Sequence, residues 1–356
     1  MPTSDVETVR VAESTFVGED LAKIVRRRYS IAREGHLAAL RFGVNDTYRV
    51  TSTGQRFTFR VYRANRRSAD DIRWELEYLD HLAAAGVGVS TAYLTDDGMP
   101  WVELQAPEGI RRGVLMSYAP GVPIGQDAAA IRQLGCAVAR MHEAARTFST
   151  SVSRTVYDLE TLLTKPLERV ADIFEQRPED WEFCTRMAET IRSAFAALPD
   201  AELPTGPLHG DIQLKNVFIA GDSITLFDFD ECGTGWFAHD LAIFQLCTRG
   251  IDSSGELLKS FFAGYAEIRA LSDAEQKALP LLELAHWIYV LDWQRTLPAA
   301  KGPQVPLEEN FPQSWLDHLR NSELTRQLGL GAQKDGSSRT TQPGAQPDVA
   351  LPRGLA

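Results

Sequence analysis

Asp211, Asn216 and Asp228 are the residues of this chain whose types and spacing could do chemistry together. The run His209-Gly210-Asp211-Ile212-Gln213-Leu214-Lys215-Asn216 carries the first two, and Asp228 follows twelve residues after Asn216. Between them Val217 to Ala220 and Ser223 to Phe227 read as short apolar strands joined by a Gly221-Asp222 turn. Folding at that turn predicts Asn216 opposite roughly position 227, so its amide and the Asp228 carboxylate meet at the open end of the hairpin. An amide oxygen and a carboxylate suit a hard cation such as Mg²⁺, and Asp211 can accept the proton of an attacking hydroxyl. The set has the parts for moving a phosphoryl group from a nucleotide. An acidic surface hairpin is the plain alternative, but it gives no reason for the compound spacing.

The elements that must position these groups change character along the chain. Asn45 to Thr51 and Arg56 to Tyr62 read as strands around a Ser52-Thr53-Gly54 turn. Phe57, Phe59 and Val61 alternate with Thr58, Arg60 and Tyr62, which sends Arg60 to the face opposite the phenylalanines. Ser68 opens a helix with Asp71 as its capping-box acid, Ile72, Leu76, Leu79 and Leu82 as its apolar stripe, and Gly86 as its stop. Glu75 lies beside that stripe. Gly113 to Tyr118 is a further strand, ended by Ala119-Pro120-Gly121. From Asp127, a helix cap, the chain turns helical. The first face there is Ile131, Leu134, Val138, Met141 and His142, and further helices are predicted around 158–175, 180–197, 239–248, 255–269, 273–295 and 313–327. The order gives an α+β class and no βαβ units.

His209-Gly210-Asp211 with Asn216, then Phe227-Asp228-Phe229-Asp230 and Asp240-Leu241-Ala242, resembles the aminoglycoside phosphotransferase, choline kinase and homoserine kinase superfamily. The likeness covers about residues 20 to 325 and is strongest over 207 to 244. It implies a bilobal, protein-kinase-like fold with a small β-rich N-terminal lobe and a large helical C-terminal lobe. The implied lobes are a nucleotide-binding lobe over 14–118 and a catalytic and substrate lobe over 119–330. Beside them, residues 331–356, rich in Gly, Gln, Pro, Ser and Ala with few large apolar side chains, are expected to be a disordered tail, and residues 1–13 a flexible N-terminus.

By the same resemblance Asp211 is the general base, working through position and charge without needing a raised pKa. Asn216 and Asp228 hold the metal. Arg60 stands where the superfamily carries a cation on the α- and β-phosphates, and Glu75 stands as its helix partner. Arginine keeps that charge and adds a fork suited to phosphate, although local sequence also allows a strand-edge arginine in a surface salt bridge. Asn45, in the loop from Phe42 to Thr47, could offer its amide to a phosphate or simply make a turn. Met116, Ser117 and Tyr118 stand where the hinge strand meets the adenine. His209 reads as a scaffold residue and Asp240 as the buried carboxylate that holds the catalytic loop. Asp230 and Glu231 could bind a second metal or a substrate amine, or cap a loop. Lys215 could touch phosphate or be solvated. Trp236, Phe237, Trp287, Tyr289 and Trp293 either line the substrate side or fill the core.

Other classes are excluded or disfavoured. There is no G-x-G-x-x-G and no Walker sequence, which argues against a Rossmann dehydrogenase and a Walker-type ATPase. Residues 1 to 112 carry sixteen Lys and Arg against sixteen Asp and Glu, so the remainder accounts for the whole net charge of −11. That acidity disfavours nucleic acid and would steer a cationic acceptor, or would merely keep the protein soluble. No apolar stretch approaches a membrane span, and Met1 to Arg10 is too polar for a signal peptide. The expectation is a cytoplasmic enzyme without a membrane partner, its oligomeric state open. The four scattered cysteines indicate neither a zinc site nor a disulfide framework.

ATP (or GTP) with Mg²⁺ is the expected cofactor pair. Only eleven residues separate Asp228 from Asp240, too few for a peptide-docking segment. The acceptor is therefore expected to be a small hydroxylated molecule: an amino alcohol, a homoserine-like metabolite or an aminoglycoside-like antibiotic. A Ser/Thr protein kinase of the same fold is the alternative. A metal-dependent phosphohydrolase built on His209, Asp211 and His239-Asp240, and a non-catalytic kinase-like module, are rivals from other classes. The first would need imidazoles converging on a transition metal and would leave Asn216 without purpose.

Overall fold

The computed structural model describes residues 9–301 and 313–330. Residues 1–8 of the expected flexible N-terminus and the expected tail at 331–356 lie outside them. The chain divides into two compact units, the first taking in the residues up to Asp80 and Ser90–Tyr118.

In the first unit, helix α1 (Gly18–Arg28) precedes strands β1 (His36–Phe42), β2 (Asp46–Ser52) and β3 (Gln55–Val61). Helix α2 (Ala69–Ala84) then leads to β4 (Ala92–Tyr93), β5 (Val102–Ala106) and β6 (Gly109–Ser117). The strands form one antiparallel sheet in the order β1-β2-β3-β6-β4, with β5 also paired to β6. Phe57 and Phe59 are buried with Leu21, Val25, Val50 and Leu115 in a core between α1 and the sheet. Arg60 sits in the middle of the sheet, opposite Thr47 on β2 and Val114 on β6. It is only 7% exposed, which rules out the surface salt-bridge reading of that arginine. The predicted capping box forms as expected. Ser68 N–H donates to the Asp71 carboxylate at 2.8 Å, and Asp71 N–H donates to Ser68 Oγ at 3.0 Å. Strand β6 begins four residues earlier than expected, at Gly109, and Tyr118 lies just beyond its end.

The second unit begins with β7 (Val122–Pro123), α3 (Ala128–Ala145) and β8 (Val156–Tyr157). Helices α4 (Lys165–Val170) and α5 (Pro178–Ala196) follow, then β9 (Thr205–Leu208), β10 (Val217–Ala220), β11 (Ser223–Leu226) and β12 (Gly233–Trp236). It continues through α6 (Phe237–Thr248), α7 (Glu256–Ile268), α8 (Asp273–Lys301), α9 (Gln313–Asn321) and α10 (Glu323–Gln327). Asp127 caps α3 by accepting from Ala129 N–H and Ala130 N–H at 3.0 Å, and the predicted apolar face of that helix is buried. The single helix expected over 158–175 is instead a π-helical turn at Glu160–Thr164, then α4, then a 3₁₀ turn at Ala171–Phe174. Two small sheets carry the middle of the unit, β11-β10-β7 and β8-β12-β9. The architecture is α+β, with an antiparallel sheet toward the N-terminus and helices toward the C-terminus. Among the described residues no helix is long and apolar enough to cross a membrane.

Candidate active site

The loop after β9 is built around Asp240, near the N-terminus of α6. One Asp240 oxygen accepts from Gly210 N–H at 2.8 Å. The other accepts from His209 N–H at 2.9 Å and lies 3.1 Å from His142 Nε2. Asp240 is fully buried, which alone would raise its carboxyl, but the His142 hydrogen bond and the nearby imidazoles hold it below the usual range. Gly210 has φ +80°, and a Cβ there would stand 1.9 Å from the Glu231 carbonyl oxygen, so only glycine fits between His209 and Asp211. His209 Nδ1 accepts from Asp211 N–H at 3.3 Å and its Nε2 lies 3.2 Å from Phe227 O. The proton therefore sits on Nε2, and burial keeps this ring below its ordinary pKa. Neutral His209 ties the loop to the end of the hairpin.

The Asp211 carboxylate is held at both oxygens. Asn216 Nδ2 donates to Oδ2 at 2.8 Å and to the Asp211 carbonyl at 3.0 Å, while Gln213 Nε2 donates to Oδ1. Gln213 went unnoticed in the sequence. The signal was the i, i+2 spacing: extended backbone at Gln213 (φ −141°, ψ 155°) returns its side chain to the Asp211 side. Burial raises the Asp211 carboxyl to about 6, with the like charge of Asp228 adding and Lys215 and the two amides opposing. The expectation that this carboxyl needs no raised pKa leaves the shift unaccounted for; its cause is desolvation in the loop.

The hairpin has the predicted register. Val217 pairs with Leu226, and Phe227 N–H donates to Asn216 O at 3.1 Å, so Asp228 follows directly after the residue opposite Asn216. Asp228 has φ +67° and ψ 58°, a left-handed conformation that aspartate tolerates better than most residues. Asn216 commits its nitrogen to Asp211, so of its amide only Oδ1 could serve a cation. With the Asp228 carboxylate this is a hard oxygen set of the kind that binds Mg²⁺ alongside nucleotide phosphates. Asp230 is 5% exposed, and its carbonyl accepts from Arg154. The Glu231 carbonyl accepts from Tyr157 OH at 2.7 Å.

The other expected nucleotide contacts belong to the first unit. Arg60 Nη1 lies 2.8 Å from Glu75 Oε1, and the two side chains are 8% and 0% exposed. Asn45 accepts Arg63 N–H on Oδ1 at 3.1 Å, which commits that oxygen to the loop itself. Met116 is buried, and Ser117 N–H donates to Thr91 O at 2.8 Å, so that N–H cannot serve a base. Arg56 stacks over the Tyr118 ring at 4.6 Å.

The imidazoles do not converge as a phosphohydrolase would need. His209 is committed to the loop, and His239 Nε2 points at His286 Nδ1, 3.2 Å away on α8. Among the described residues no group of three or more His, Cys, Asp or Glu is placed to hold a metal ion. Phe237, one of the candidate substrate aromatics, is core: it is buried and stacks on His142 at 4.6 Å. Tyr289 meets Tyr157 edge-on at 6.0 Å.

The His239–His286 pair makes stability depend on pH. Burial pushes His239 down to about 4 and His286 well below its ordinary value. The folded chain keeps both neutral while the unfolded chain protonates them, so their contribution is lost as pH falls from 6.5 toward 4. For His239 alone this is roughly 3 kcal/mol. Asp211, with its raised pKa, works in the opposite sense over much of the window. The readout is therefore the stability difference between wild type and His239→Phe in urea melts at pH 7 and pH 4.5. That difference is expected to move in favour of the variant on acidification. A gap that stays constant with pH would refute the assignment.

The profile of the phosphotransferase enzyme family matches residues 39–281. An uncharacterized protein of Deinococcus radiodurans is 34% identical over 265 residues, 73% of this chain and 77% of its own. A homoserine kinase of Methylorubrum populi is 26% identical, with 84% of this chain and 94% of that one covered. Among solved structures, the amicoumacin kinase hAmiN in complex with AMP-PNP, Ca²⁺ and Ami superposes with a TM-score of 0.64 at 19% identity. It covers 79% of this chain and 86% of its own. With its fold, its hairpin and a profile match over more than half its length, the chain belongs to the phosphotransferase enzyme family and is a kinase acting on hydroxyl groups.

Proposed function

We propose that this protein transfers the γ-phosphoryl group of ATP or GTP to a hydroxyl of a small cationic or zwitterionic molecule: an amino alcohol, a homoserine-like metabolite or an aminoglycoside-like antibiotic. The observation that carries the reading is the Asp211 carboxylate, clamped by the side chain of Asn216 in a loop tied to the start and end of the hairpin that leads to Asp228. In this reading the acceptor oxygen forms a bond to the γ-phosphorus as the bond to the ADP oxygen breaks, and Asp211 takes the hydroxyl proton. Asn216 and Asp228 would hold Mg²⁺, which supplies charge neutralisation on the phosphate oxygens. Arg60, fixed by Glu75, serves the α- and β-phosphates; Asn45, Met116, Ser117 and Tyr118 border the nucleotide. His209 and Asp240 hold the loop. Asp230 and Glu231 would serve a second metal or the amine of the acceptor, or else only cap the loop after Asp228, and the acidity of residues 113–356 supports a cationic acceptor.

Turnover is expected only with a hard divalent cation. Excess EDTA should abolish it, and Mg²⁺ or Mn²⁺ should restore it, because carboxylate and amide oxygens select such ions. Labelled ATP offered with homoserine, an aminopropanol, an aminoglycoside and a generic protein substrate tests both points. Undiminished activity in EDTA, or labelling of the protein substrate alone, would overturn the reading.

A further inference from the structure

We propose that Gln213 is a positioning residue for phosphoryl transfer, fixing the direction in which the Asp211 carboxylate meets the acceptor hydroxyl. The inference rests on the phosphotransfer reading of this site. A carboxylate turns easily about its last torsion, which has a broad, two-fold profile. Asn216 alone would leave that rotation open, since it grips one oxygen, Oδ2. Gln213 takes the other oxygen, Oδ1, and only the two amides together fix the plane of the group. Each oxygen has two acceptor sites, so one amide on each leaves one on each for an incoming O–H.

The support for Gln213 is itself built into the loop. Its side chain is nearly buried, at 6% exposed, and its carbonyl accepts from Asn216 N–H at 3.0 Å, so the two amides are tied to each other through the backbone. The choice of an amide has a physical consequence. A second cation here would join Lys215 in offsetting the negative charge that the base needs, whereas a neutral donor orients it without neutralising it. Position matters because misplacing a reacting group by about 1 Å can cost on the order of 10²-fold in rate.

The test is a double-mutant cycle read as kcat, with Mg²⁺·ATP and whichever of homoserine, an aminopropanol or an aminoglycoside the wild type phosphorylates. Gln213→Leu is expected to lower kcat about tenfold, the effect of a loosened rather than absent base, with KM for ATP within about twofold. In an Asp211→Asn background the same substitution should change kcat less than about twofold, because the group it positions is gone. Gln213→Glu, which sets an acceptor against an acceptor, should fall below Gln213→Leu. Thermal melts confirm folding, and Gln213→Met replaces Leu if that variant does not fold. Full kcat in Gln213→Leu, or an equal fold-loss in both backgrounds, would overturn the assignment. A wild type that phosphorylates no acceptor would instead refute the phosphotransfer reading beneath it.

Discussion

Replacing Asp211 with Asn is expected to cut turnover by about 10²-fold or more while leaving nucleotide affinity nearly unchanged. The two side chains have almost the same shape, so the loop should survive. What changes is that one carboxylate oxygen becomes an NH₂ group, which can neither accept the hydroxyl proton nor receive an amide donor. One of the bonds from Gln213 and Asn216 is then lost as well. The substitution also removes a negative charge close to Asp228, which eases rather than hinders binding of the nucleotide phosphates. A fall in kcat with an unchanged dissociation constant for ATP is therefore the signature of a group acting on the acceptor side. If the variant loses ATP binding and keeps normal turnover at saturation, Asp211 belongs to the metal and the role given to it here is wrong.

The hairpin was legible in the sequence because everything that shapes it is local. Gly221 takes a left-handed turn, the flanking residues are apolar, and register follows from turn length, so residue spacing alone places Asn216 opposite residue 227. The capping box at Ser68 and the stripe of α2 were legible for the same reason. Strand β1 was not. It is a sheet edge whose seven residues are nearly all exposed, so no alternation of burial marks it, and a bulge between Ala39 and Arg41 breaks its register. Helix α1 starts without a side-chain cap, which removed the usual start signal. Strands of two residues, such as β7 and β8, are too short to show any period.

The site divides along the same line. Asp211, Asn216 and Asp228 could be named from spacing, whereas Gln213 owes its place to the fold of the loop. Burial accounts for the rest of what local pattern could not show. Arg60 could be read as surface or interior from its strand alone, and only its position in the middle of the sheet decided. The His239–His286 pair joins residues 47 apart, on two helices whose packing no local pattern encodes.

Asp240→Ala should be the most damaging single change for the fold of the site. The carboxylate is the common acceptor for His209 N–H and Gly210 N–H, and His142 Nε2 reaches the same oxygen as His209. Behind it runs a buried relay: His142 Nδ1 lies 2.8 Å from Tyr265 OH, which accepts from Arg269 at 2.9 Å, and Arg269 pairs with Glu275 at 2.7 Å. Truncation leaves two backbone N–H groups and the His142 Nε2–H without their acceptor in a buried space. Breaking a buried, hydrogen-bonded pair of this kind costs about 3–5 kcal/mol, a large part of the roughly 5–15 kcal/mol that holds a typical domain together. The loop would lose the anchor that lets Gly210 pass under Glu231, and Asp211 would lose its position with it. Asp240→Asn keeps one acceptor oxygen and should fall between wild type and Ala in both melting temperature and kcat. His142→Phe removes one donor without stranding the loop, so it should cost less than either Asp240 variant. Urea melts and turnover measured on all three proteins decide the matter. If Asp240→Ala melts and turns over like wild type, the loop is held by something other than this carboxylate.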